Sequence, residues 1–145
     1  MTELQDGSFQ LLIPDSLASD TAKVTRLVLC SGKVYYDLVE EYEKRGVSDV
    51  AIARVEQLYP FPRTEVAAEL KRFGNAKELV WCQEEPMNQG AWFQIRHHLQ
   101  AAIGEQVPIH YVGRVRSPAP ACGHFNTHVK EQTALVNDAL TTSNT

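Results

Sequence analysis

Several signatures of chemistry are missing from this sequence. Its three cysteines, Cys30, Cys82 and Cys122, are odd in number and far apart, and no CxxC pair occurs. That spacing excludes a zinc ribbon and a disulfide framework. Cys30 and Cys82 lie in apolar runs and read as reduced core residues, as expected of a cytoplasmic protein. No apolar run approaches about 18 residues, so nothing reads as a membrane span. MTELQDGSFQ has no cationic stretch leading into an apolar one and is not a signal peptide. Neither GxGxxG nor a P-loop is present, which removes the two commonest phosphate-cradling loops. Basic residues are scattered and the formal net charge is −4, which argues against a nucleic-acid partner.

What is present fits one soluble domain over residues 1–145. At this length folding buries roughly two thirds of the unfolded chain's surface. The hydrophobic and charged fractions, 43% and 22%, are ordinary for a globular protein. Four segments read as buried strands: VTRLVLCS from Val24, DVAIARVEQ from Asp49, ELVWCQ from Glu78 and IHYVG from Ile109. Helical patterns alternate with them. In KVYYDLVEEYEKRG, Val34, Tyr35, Leu38, Val39 and Tyr42 form one stripe, and Gly46 ends it. TEVAAELKRFGN places Val66, Leu70 and Phe73 on one side, with Gly74 after the end. GAWFQIRHHLQAAIG aligns Trp92, Ile95, Leu99 and Ile103 and closes at Gly104. A last helix is predicted from about Thr127 to Leu140, with Val129, Val136 and Leu140 inward. This alternation predicts parallel strands with helices on both sheet faces. SFQLLI adds a candidate edge strand within an N-terminal connector, residues 1–23, and residues 141–145 read as a frayed tail.

Three polar clusters fall where strands end, the rim at which open α/β sheets collect ligands. CSGK, Cys30 to Lys33, admits two readings. One is an ordinary Ser31 helix cap; the other is an anion site at a helix N-terminus, with Lys33 opposing the helix dipole unless an anion is near. In VEQLYPFP, Pro60 and Pro62 hold Tyr59 and Phe61 out of helical geometry. A partly exposed aromatic at that corner would point to a missing partner surface. VWCQEEPMNQGAW, Val80 to Trp92, is the richest cluster. Glu84 and Glu85 invite an acid–base reading, although adjacent side chains point apart. Gln83, Asn88 and Gln89 fit either backbone hydrogen bonds in a structural corner or contacts to a ligand's polar edge. His124 and His128 share a helical spacing but lack the glutamate of a zinc protease motif, and Ser31 has no triad companions in sequence. No catalytic residue and no metal ligand is therefore assigned.

Taken in order, VTRLVLCSGKVYYDL, DVAIARVEQLYPFP, VWCQEEPMNQGAWFQIRHHL, HYVGR and VKEQTALVNDAL resemble one family over roughly Val24 to Leu140. It is the C-terminal domain of the thiamine-diphosphate-dependent decarboxylating component of the 2-oxoglutarate dehydrogenase complex. The resemblance implies a transketolase C-terminal-domain fold: three α/β/α layers around a mixed five-stranded sheet whose first strand, SFQLLI, is an antiparallel edge. RVRSPAPACG departs from the family pattern, with Pro118 where a small residue is usual.

By this resemblance the parent enzyme, oxoglutarate dehydrogenase (succinyl-transferring), decarboxylates 2-oxoglutarate in the tricarboxylic acid cycle. It passes the succinyl group to the lipoyl arm of the succinyltransferase component. Its thiamine diphosphate and magnesium sit in two upstream domains. This chain lacks their GDG motif, the following asparagine and the upstream catalytic histidines, so alone it is expected to hold no cofactor and to be inactive. The roles implied for it are homodimer assembly, contact with the upstream domains, and allosteric binding of an adenosine nucleotide or acetyl-coenzyme A. Carried over position by position, Ser31, Lys33, Gln83 and Asn88, with Arg114, are the implied effector contacts. Two alternatives stand beside this one. The first is the equivalent domain of a pyruvate-decarboxylating component or transketolase, and the second is a standalone nucleotide-binding α/β module.

Overall fold

A computed structural model describes residues 11–58, 60–86, 90–114 and 125–141 of the chain. Five strands appear in it: β1 (Leu12–Ile13), β2 (Arg26–Cys30), β3 (Val50–Val55), β4 (Glu78–Pro86) and β5 (Ile109–Arg114). The helices are α1 (Val34–Arg45), α2 (Arg63–Arg72), α3 (Trp92–Ile103) and α4 (Phe125–Leu140). The sheet order is β1-β3-β2-β4-β5, with β1 antiparallel to β3 and the other pairings parallel. This is the mixed sheet with an antiparallel edge that the resemblance implied. Of SFQLLI, Leu12 and Ile13 are in the strand, and residues 8–10 lie outside the described residues.

Two-residue periodicity divides the core. Leu27, Leu29, Ala51, Ala53, Leu79 and Trp81 face one side, where Val66, Leu70 and Phe73 come up from α2 and Ile95, Leu99 and Ile103 from α3. Val28, Cys30, Val50, Ile52, Val80 and Cys82 face the other, against Val34, Leu38 and Tyr42 of α1 and Leu135, Val136, Ala139 and Leu140 of α4. The helical stripes read from spacing are thus the buried faces. The Val129 side chain falls outside the described residues.

Helix ends follow expectation at Gly46 and differ from it after α2. Gly46 adopts the left-handed conformation (φ 65°, ψ 42°), and its N–H bonds back to the Tyr42 and Glu43 carbonyls, as a C-terminal glycine should. Helix α2 instead closes one residue early, at Phe73 with φ −105°, because burying that ring fixes the chain before Gly74. Of the aromatics at the VEQLYPFP corner, Phe61 is not a partly exposed one. It is buried in the core and its ring stacks on His98 at 5.7 Å, because Pro62 turns the chain inward just before α2 begins. Tyr59 lies outside the described residues.

Two buried polar networks hold the layers. Asp15 follows β1, where the β3 edge has lost its partner strand. One of its carboxylate oxygens accepts the Ile52 N–H at 2.9 Å, and the other accepts those of Leu17 and Ala18. The Asp15 N–H donates to Glu69 of α2 at 2.8 Å, and Arg72 donates to both the Asp15 carbonyl and Glu69. At the start of the central strand β2, Arg26 donates to Glu78 at 2.8 Å and to the Asp138 and Ala139 carbonyls near the end of α4. The Arg26 and Glu78 side chains are only 8% and 9% exposed, so the pair's net worth is small but breaking it is costly. Arg26→Ala should lower unfolding free energy in urea by about 3–5 kcal/mol, since it strands a buried carboxylate. Arg26→Met with Glu78→Leu should recover most of that loss.

Candidate functional site

The parallel pairing of β2 with β4 brings Cys30 opposite Cys82, so both strands end at one rim. Ser31, Gly32 and Lys33 lead from β2 into α1 at that rim, and Gln83, Glu84 and Glu85 continue β4 beyond it. Gly32 turns the chain at φ 83°, a conformation that favours glycine. Lys33 stands at the N-cap of α1 and is exposed. No side-chain cap bond starts this helix, so the Ser31-cap reading does not hold. The first turn is closed by backbone instead: the Tyr35 N–H donates to the Gly32 carbonyl and the Tyr36 N–H to the Lys33 carbonyl.

Gln83 is buried, 2% exposed, and alternation turns it to the α2/α3 face. Its carboxamide oxygen accepts the Trp81 indole N–H at 2.9 Å and the Trp92 backbone N–H at 3.2 Å. Its amide nitrogen donates to the Glu85 carbonyl at 3.1 Å. One amide thus ties the strand end to the first turn of α3. The β4–β5 register explains why such a tie is needed: Gln83 pairs with Gly113 but Pro86 with Arg114, so Glu84 and Glu85 form a bulge. Two glycines make room for it. A Cβ on Gly90 would collide with the Gln83 amide, and one on Gly113 would lie 2.6 Å from the Gln83 carbonyl oxygen.

The bulge separates the two glutamates. Glu84 accepts at 3.1 Å from the Gln132 amide of α4, which also donates to Asp37 of α1 at 2.8 Å. Glu85 is exposed, and its carbonyl accepts from the Tyr111 hydroxyl at 3.4 Å. The two carboxylates do not converge on one point, so the geometry offers no acid–base pair. Burial pushes the Tyr111 hydroxyl up to about 12, and packs its ring against Trp92 at 5.5 Å. Burial likewise raises Cys82 to about 12 and Cys30 higher still, which keeps both thiols protonated and poorly nucleophilic.

Of the sequence-predicted contacts, Ser31, Lys33 and Gln83 share the rim. Ser31 is half-buried and Lys33 exposed, whereas Gln83 is buried and turned to the α3 face. Asn88 lies outside the described residues. Arg114 closes β5 at the same rim; its side chain is outside the description. Among the described residues no three His, Cys, Asp or Glu side chains converge to hold a metal, and no helix is long and apolar enough to cross a membrane.

Sequence reasoning missed Arg54. It is the penultimate residue of β3 and pairs in register with Cys30, the last residue of β2. Its guanidinium sits 5.2 Å from the Tyr36 ring centre and 5.4 Å from that of Tyr35. It donates to the Tyr36 hydroxyl at 3.0 Å, while Glu56 approaches its Nε at 2.6 Å. The signal was a single arginine within VAIARV, but only strand register reveals its neighbours.

The family described as 2-oxoglutarate dehydrogenase C-terminal matches residues 1–140. Similar proteins include three 2-oxoglutarate dehydrogenase E1 components. That of Cupriavidus necator is 46% identical over 140 residues, that of Azotobacter vinelandii 47% over 144, and that of Coxiella burnetii 49% over 142. Each alignment takes in 97% of this chain and 15% of the relative, so the chain spans about a seventh of their length. A solved structure described as a split gene transketolase, inactive beta4 tetramer, shares the fold with a TM-score of 0.53 at 15% identity. It covers 80% of this chain and 38% of that one.

Gly90→Ala should destabilise by about 1–3 kcal/mol through the clash with Gln83. In a double-mutant cycle Gln83→Ala should absorb much of that cost, so the two changes should be clearly non-additive in chemical denaturation. A second expectation concerns His98, whose Nδ1 accepts from Arg63 Nε at 3.1 Å. Partial burial, then His97 and Arg63, hold its pKa below the usual 6.5. A histidine depressed in the folded state takes up its proton more readily when unfolded, so its contribution to stability falls as pH drops below about 6.5. An NMR titration should show that depression, reduced in Arg63→Ala.

Proposed function

The chain belongs to the 2-oxoglutarate dehydrogenase C-terminal family, and from that premise we propose that it serves as the C-terminal, non-catalytic domain of the thiamine-diphosphate-dependent decarboxylating component. In this reading the whole enzyme decarboxylates 2-oxoglutarate and delivers succinyl groups to the succinyltransferase component. This domain contributes to assembly of the homodimer and frames the approach to the active site. The observation that carries the reading is the near-complete alignment of this chain with a small, fixed share of much longer E1 components. The cofactor, when bound in the whole enzyme, supplies the electron sink for decarboxylation. In this reading the cofactor and its magnesium are held by the upstream part of the enzyme, and this chain is given no part in holding either group.

The domain's own chemistry, in the same proposal, is recognition of an anionic effector such as an adenosine nucleotide or acetyl-coenzyme A at the strand-end rim. Ser31 and Lys33 are the direct contacts, with Asn88 and Arg114 as further candidates. Gln83, whose amide is engaged by Trp81, Trp92 and Glu85, acts by holding the corner in shape. Exposed Lys33 at the start of α1 supports this role, because an anion there would meet both its ammonium and the helix's N-terminal amides.

Adenosine monophosphate or acetyl-coenzyme A at millimolar concentration should raise the melting temperature of the 145-residue chain, and Lys33→Ala should abolish the rise. Thiamine diphosphate with magnesium should leave both proteins unchanged. No shift with either nucleotide would remove the effector role, and 2-oxoglutarate decarboxylation by the chain alone would overturn the non-catalytic reading.

A further inference from the structure

The four helices differ in charge. Helix α1 carries Asp37, Glu40, Glu41 and Glu43, whereas α3 contains no acidic residue and holds Arg96, His97 and His98. Phe93, Arg96, His97 and Gln100 recur at the i, i+3, i+4, i+7 spacing of one helical stripe, and all four are exposed. They flank Ile95, Leu99 and Ile103, which face the core. Phe93 is 39% exposed, one of two large hydrophobic side chains so exposed among the described residues. The Arg96 guanidinium lies 5.2 Å from its ring centre. Arg63 of α2 reaches His98 on the side of α3 that faces α2, away from this stripe.

An aromatic ring under an arginine, with acidic residues excluded from the helix, has the composition of an interface centre rather than of a solvated face. The cation–ring contact strengthens once water leaves. The relatives align with this chain over only 15% of their length, so a domain of this kind has a far larger body to meet. We propose that the outer stripe of α3 docks against an acidic surface on the remaining domains of the E1 polypeptide. The proposal rests on the reading of this chain as their C-terminal part. A second copy of the chain is the poorer occupant, because pairing α3 with itself would bring together two faces whose one formal charge, Arg96, has the same sign and no acidic partner.

The test co-expresses the 145-residue chain with the Azotobacter vinelandii E1 component lacking the portion this chain matches. The two should co-elute at about 0.15 M salt, with slowed hydrogen exchange across residues 92–103. Phe93→Asp and Arg96→Glu should each weaken the complex about tenfold or more, without changing the melting temperature of the isolated chain. Glu40→Lys on α1 should bind as the unaltered chain does. A chimera carrying this chain in place of the relative's own matched portion gives a second format, in which Arg96→Glu should lower the melting temperature. A complex that leaves α3 exchange unchanged and tolerates Arg96→Glu overturns the inference while the C-terminal-domain reading stands. If neither a complex nor a folded chimera forms with the unaltered chain, both fall. Self-association of the isolated chain through α3 in sedimentation overturns the inference as well.

Discussion

Strand β2 is dry on both faces, and most of the molecule follows from that constraint. Every residue from Arg26 to Cys30 is buried, with β3 on one side and β4 on the other. A strand covered on both faces needs helices above and below it, and parallel neighbours supply them through their connections. Parallel strands also end together, which is why CSGK and QEEP reach one rim. The cost falls on Arg26, the one charged residue in this strand. It is met by Glu78 in the register partner position and by the last carbonyls of α4. One buried cation thereby ties the sheet to its final helix, and any rearrangement of α4 must first replace those bonds.

The same constraint divides the rim. Residues on adjacent positions of a strand face opposite layers, so Gln83 belongs to the α3 side and Glu84 to the α1/α4 side. Lys33 stands exposed at the N-cap of α1, whereas the Gln83 amide is buried and engaged by Trp81, Trp92 and Glu85. Two polar groups at one rim can therefore differ in the layer they serve and in whether a ligand can reach them. A ligand touching Lys33 directly would feel Gln83 only through the corner it braces. Polar density in a sequence motif is thus a poor measure of how many of its groups one ligand can meet.

Most of the scaffold was legible because periodicity reports burial directly. The runs from Val24, Asp49, Glu78 and Ile109 became β2 to β5, and the stripes Val34–Leu38–Tyr42 and Ile95–Leu99–Ile103 became buried helix faces. What periodicity does not encode is register and the satisfaction of backbone groups. The bulge at Glu84 and Glu85 depends on how β5 aligns with β4, and neither strand's sequence states that offset. Asp15 read as a connector residue, yet it occupies the gap where β1 stops covering β3. Ser31 looked like a cap by residue type, but the turn through Gly32 starts α1 with backbone bonds alone. The prolines of VEQLYPFP encode stiffness but not direction, and Pro62 directs Phe61 into the core.

The corner VWCQEEPMNQGAW shows why a domain without convergent catalytic groups still concentrates polar residues. A bulged strand leaves backbone groups with no ladder partner, and the following helix starts with donors that no preceding turn can satisfy. Both deficits fall within nine residues, between Gln83 and Trp92. A buried side chain that accepts two N–H groups and donates to one carbonyl answers them together, and the Gln83 carboxamide does all three. Glutamate in its place would lose the donor, and leucine would lose all three bonds. Gly90 is small because that amide already occupies the space a side chain would need. Glutamine and glycine at these two positions thus follow from the geometry of the turn, independently of any ligand that the neighbouring face binds.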